Sequence, residues 1–124
     1  MKKIATVAVL AVPVLLASAC GGPPPTYGKD VKPFVDKYCL RCHKAGGEGT
    51  QKSGLMMETY KDLMKGTQYG AVVKPGDSFT SALVMLVEGR AHPSLRMPHD
   101  QGEKPPQKEI DRVKAWIDAG AKEN

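Results

Sequence analysis

The residues with the most specific chemistry are Cys39-Leu40-Arg41-Cys42-His43. Two thiols at this spacing, at a helix end, can each add to one vinyl group of a single haem. The histidine that follows can then reach the iron from one face. Other uses of these residues fit less well. A thioredoxin-like redox pair needs a βαβ setting, and the chain shows none. A zinc site could recruit Cys39, Cys42, His92 and His99, but those intervals match no usual zinc spacing. A disulfide across two intervening residues would be strained and would staple nothing. The reading is one covalently attached haem c per chain, with Cys39 and Cys42 as attachment points and His43 as an iron ligand.

A second axial ligand must come from elsewhere. Met56 and Met57 lie 13 and 14 residues beyond His43, too near to cross easily to the opposite haem face. Met85 sits among apolar neighbours, where methionine usually fills core. Met97 precedes Pro98, which restrains it towards extended geometry and keeps a helix out of the way. Met97 is therefore the expected distal ligand. His92 and His99 flank the same loop, where exposed loop histidines are the more common reading.

These residues need elements to position them. Val31, Phe34, Val35 and Tyr38 recur at helical spacing and predict a short amphipathic helix leading into Cys39. Ala45 to Gly49 reads as loop. A short helix is expected near Glu58 to Lys65, ended by Gly66. Another is expected from about Phe79 to Glu88, with Asp77 and Ser78 as N-caps. Arg90 to Pro105 has three prolines and no periodicity, so it reads as loop. Pro106 is expected to open a last helix through Ala119, with Ile110, Val113, Trp116 and Ile117 inward and Gly120 just past its end. No stretch reads convincingly as strand.

The N-terminus has a different character. Lys2 and Lys3 precede a 14-residue apolar run, Ile4 to Ala17, and then Ser18-Ala19-Cys20. That is the order of a secretory signal, and the run is shorter than the roughly 20 residues a spanning helix needs. Leu16-Ala17-Ser18-Ala19-Cys20 resembles the bacterial lipobox, which implies lipid on Cys20. The expected organisation is a signal peptide over 1–19, a Gly/Pro-rich tether over 20–28 and a single domain over 29–124. Cys20 to Pro25 supplies the tether: glycines for flexibility and three prolines for polyproline II. Cleavage before Cys20 removes both lysines and lowers the formal charge from +5 to +3. The implied location is the periplasm or cell surface, on a lipid anchor in a bacterial membrane. The three cysteines are then all used.

Composition agrees. The chain has 124 residues, 41% hydrophobic and 25% charged, which suits one globular domain and excludes wholesale disorder. Aromatics are only 6%, a thin complement that a bound prosthetic group would supplement.

Together these residues resemble a class I cytochrome c, and in particular the planctomycete-type cytochrome c domain. The matching pieces are the haem pentapeptide, Lys74-Pro75-Gly76-Asp77 leading to Ser81-Ala82-Leu83, Arg96-Met97-Pro98, and Trp116-Ile117-Asp118-Ala119-Gly120-Ala121. The resemblance spans about residues 30 to 121. It implies an all-α, cytochrome c-like fold of three to five short helices around one haem, with the first and last helices crossing beside it.

The expected function is an extracytoplasmic one-electron carrier. An iron held by both His43 and Met97 has no free position for a substrate, so no catalytic residue and no small-molecule substrate are expected. Two alternatives stay open: a haem enzyme or sensor of peroxidase or gas-binding type, and an electron-transfer subunit of a larger membrane redox complex. Between Lys29 and Lys52, six basic residues face three acids, which suits a redox partner with an acidic docking surface. An exported chain without a reading motif is not expected to bind nucleic acid.

Overall fold

The computed structural model describes residues 22–99 and 103–124. The expected signal peptide and Cys20 lie outside the described residues. The fold is all-α: among the described residues there are five short α-helices, and the only β pairing is an isolated bridge between Thr67 and Gly70. No described helix is long and apolar enough to cross a membrane.

Packing begins within the stretch expected to be tether. Pro25 is buried, and a π-helical turn runs Tyr27–Val31. Thr26 caps that turn: its hydroxyl accepts the Lys29 N–H, while its own N–H donates to the Asp30 carboxylate at 2.7 Å. Helix α1 (Lys32–Tyr38) continues directly, with Pro33 in its first turn, where a missing N–H costs nothing. Val31, Phe34, Val35 and Tyr38 are buried, as their spacing predicts.

The expected loop Ala45 to Gly49 gives way at Glu48 to a helix that the sequence does not announce, α2 (Glu48–Ser53). It buries no residue, so it has no apolar period by which sequence could announce it. Gly54 ends it in the left-handed region, at φ 75°. Helix α3 (Tyr60–Lys65) starts from a Thr59–Asp62 capping box and stops at Gly66. A Cβ on Gly66 would lie 2.4 Å from the Gly70 carbonyl oxygen.

Helix α4 (Ala82–Val87) starts later than expected, because the presumed caps are used otherwise. Asp77 accepts the Thr80 N–H at 3.0 Å, and Ser78 donates from both N and Oγ to Asp118, at 2.8 and 2.9 Å. Phe79 is outside the helix and 71% exposed. A 3₁₀ turn, Pro93–Leu95, interrupts the expected loop.

Helix α5 (Gln107–Asp118) buries Ile110, Val113, Trp116 and Ile117, as their spacing predicts. It packs on the π-helical turn just ahead of α1 and on α4. Arg112 holds Asp30 through Nε and Nη2 at 2.9 and 2.7 Å, and Lys114 holds Glu88 of α4's C-terminus at 2.8 Å. Trp116 lies beside Tyr27 and Tyr60, with centroids 5.8 and 6.4 Å away. The first and last helical segments therefore meet through the Tyr27–Val31 turn.

Candidate haem site

The end of α1 does not unwind into extended chain. The Cys39 N–H donates to Val35 O at 2.9 Å, and the Cys42 and His43 N–H groups both donate to Cys39 O, at 3.1 and 3.0 Å. These turns fold Cys39, Cys42 and His43 onto the wall of one cavity of about 840 Å³, within the usual range for small-molecule and cofactor sites. Leu55, Met57, Val72, Leu83, Leu86 and Val87 supply apolar wall.

His43 is 8% exposed. Its Nδ1 lies 3.2 Å from the Leu55 carbonyl oxygen. A carbonyl only accepts, so Nδ1 carries the proton and Nε2 keeps its lone pair. Burial disfavours the imidazolium and holds the pKa below its ordinary value, against the pull of the Leu55 carbonyl. A neutral imidazole with Nε2 free is the form that binds a metal ion. Cys39 and Cys42 are not disulfide-bonded. Burial pushes the Cys39 thiol up to about 12, and the neighbouring Cys42 acts in the same direction.

Met97 lines the same cavity and packs against the core. Its N–H donates to Leu86 O at 3.1 Å, which ties the Met97 segment to α4, and its peptide bond to Pro98 is cis. The two loop histidines differ. His99 is exposed but lines the cavity, whereas His92 does not; His92 caps the 3₁₀ turn, with its Nδ1 2.8 Å from Ser94 Oγ. Met57, 1% exposed, is also on the wall, and its N–H donates to His43 O at 2.8 Å. Met56 and Met85 are not among the lining residues. The candidate residues described here, Cys39, Cys42, His43 and Met97, thus share one cavity.

Sequence reasoning missed the residues that hold the histidine. Leu55 acts through a backbone carbonyl, which no side-chain type announces. Gly47 and Gly49 read only as loop residues, yet they allow a close approach: a Cβ on Gly47 would lie 2.4 Å from Cys42 O, and one on Gly49 would lie 2.7 Å from His43 Cε1. Lys37 and Glu103 pair at 3.1 Å, and both line the cavity. The basic cluster is also less free than its count suggests, since Lys32, Lys37 and Lys52 are paired with Asp36, Glu103 and Glu48.

The donor set suits a covalently bound haem: two free thiols, an imidazole with Nε2 unengaged and a thioether on one largely apolar cavity. A family model described as Planctomycete cytochrome C matches residues 39–101, from the first cysteine of the pentapeptide past Met97. No curated protein and no solved structure matches the chain.

Proposed function

The chain belongs to the planctomycete cytochrome c family, and from that premise we propose that it is an extracytoplasmic one-electron carrier whose iron is held between His43 and Met97. Family membership carries a covalently bound haem c and a general role in electron transfer. The finer assignment gives Cys39 and Cys42 the thioether links, His43 and Met97 the axial positions, and Cys20 a lipid anchor at the periplasmic or cell-surface side of a bacterial membrane. The observation that carries it is the single cavity lined by Cys39, Cys42, His43 and Met97.

The bound group supplies a one-electron couple at iron. The chain's own residues determine how that couple behaves. Leu55 O holds the His43 ring by its Nδ1 proton, which fixes the tautomer and orients Nε2. Leu83, Leu86 and Val87 present apolar surface on the cavity wall, and an apolar surround favours the less charged ferrous state. A thioether ligand raises the potential relative to a second imidazole. If His43 and Met97 both held the iron, no position would remain for substrate, and transfer to a partner is the function that fits. Arg41 and Lys44, exposed on the attachment segment, supply positive charge for an acidic redox partner.

Two measurements test this on the full chain. After denaturation and acid–acetone extraction, one haem should stay on each polypeptide; freely extracted haem would overturn the attachment. The ferrous protein should show no spectral change under carbon monoxide. A clear carbon monoxide complex would instead support an open-site enzyme or sensor.

A further inference from the structure

The carbonyl oxygen that holds His43 is shared. Leu55 O lies 3.2 Å from His43 Nδ1 and 2.8 Å from Thr50 Oγ1, and both groups donate to it. Thr50 is itself fixed to the attachment turn, since its N–H donates to Cys42 O at 3.2 Å. Gly49, against the imidazole, lets α2 come close enough for this arrangement. His43 and Leu55 are both buried, so bulk water does not compete strongly for the carbonyl.

A carbonyl oxygen has two lone pairs, and two donors draw on the same electron density. The hydroxyl bond, at 2.8 Å, has the usual O–H···O length, whereas the imidazole bond, at 3.2 Å, is long for N–H···O, so the hydroxyl takes the larger share. The His43 Nδ1 proton is then pulled less strongly, and the ring carries less anionic character. A less basic imidazole stabilises ferric iron less, and hydrogen bonding around the ligands is a recognised control on potential. We infer that Thr50 is a positioning residue that keeps the reduction potential up by competing with His43 for the Leu55 carbonyl. The inference rests on the reading of His43 as an iron ligand.

The test compares Thr50→Val, Thr50→Ala and Thr50→Ser in the haem-loaded full chain by equilibrium redox titration, visible spectrum and thermal melt. Val keeps the shape of Thr, Ala avoids any clash, and both remove the hydroxyl; Ser restores it. Val and Ala should each shift the ferric-to-ferrous affinity ratio about threefold towards ferric, a fall of about 28 mV at 59 mV per tenfold for one electron. Ser should return the potential to the parent value. A purely structural role would lower the melting temperature without that pattern. A low-spin parent whose potential is unmoved or raised in Val and Ala overturns this inference alone, as does failure of Ser to restore it. A parent that is not six-coordinate and low-spin overturns the axial reading and this inference with it.

Discussion

Gly49 stands against the ring of His43: a Cβ at position 49 would come within 2.7 Å of Cε1 and 3.0 Å of Nδ1. It would also meet the Cys42 carbonyl oxygen at 3.0 Å. The ring cannot simply swing away, because Leu55 O holds Nδ1. Gly49→Ala should therefore destabilise the holoprotein by about 1–3 kcal/mol, the usual range for an added methyl in a packed site. Thermal unfolding checks this, and a high-spin component in the visible spectrum would report displacement of the imidazole. A variant with the parent's melting point and spectrum would show that the approach is not constraining.

That contact also marks the limit of what the sequence could reveal. The pentapeptide and Met97 stand out as candidates because of their side-chain types, and the structure places them on one cavity. The buried faces of α1 and α5 were legible because Val31 to Tyr38 and Ile110 to Ile117 repeat at helical spacing. Helix α2 was not, since it buries nothing. Leu55 was not, because its role belongs to a backbone oxygen whose position depends on the fold of residues 44 to 57. Asp77 and Ser78 misled for a related reason. Their side chains do bond, but Ser78 bonds to Asp118, 40 residues away, and that long-range partner moves the start of α4 to Ala82.

The join between the two ends of the chain should depend on acid pH. Burial alone would raise the pKa of Asp30, but the Thr26 N–H and the Arg112 guanidinium outweigh it and hold the carboxylate below its ordinary value near 3.8. A group with a depressed folded pKa stabilises the fold above its unfolded value and loses that contribution as pH falls through the folded value. Stability should thus fall below about pH 4. Arg112→Ala should cost about 1 kcal/mol or less at neutral pH, since the guanidinium is partly exposed. The cost should shrink in acid. Equal costs for Arg112→Ala at pH 3 and pH 7, measured by denaturant titration, would remove the pair from the account.

The proposed lipid on Cys20 makes a cellular prediction. Cys20→Ser should move the protein from membranes into the soluble extracytoplasmic fraction, and intact mass should lose the acyl chains. Lipidation at this position is motivated by the Lys2–Lys3, apolar run and Ser18-Ala19-Cys20 order. Retention of Cys20→Ser on membranes after a high-salt wash would point to an uncleaved apolar segment or a bound partner instead.

The distal ligand can be settled by comparing three residues of one segment. Met97 lines the cavity and is tied to α4 through Leu86 O. His99 lines it too, from an exposed position, while His92 is bonded to Ser94 and is not on the wall. Met97→Ala should open the sixth position, giving a high-spin component and carbon monoxide binding that the parent lacks. Met97→His should remain six-coordinate but at lower potential, because imidazole favours ferric iron more than a thioether does. Each tenfold change in relative affinity for the two oxidation states is about 59 mV. His92→Ala should leave the low-spin spectrum alone, and so should His99→Ala. The informative rival is His99. If His99→Ala opens the iron and Met97→Ala does not, the carrier is bis-histidine ligated, and its potential should be correspondingly lower.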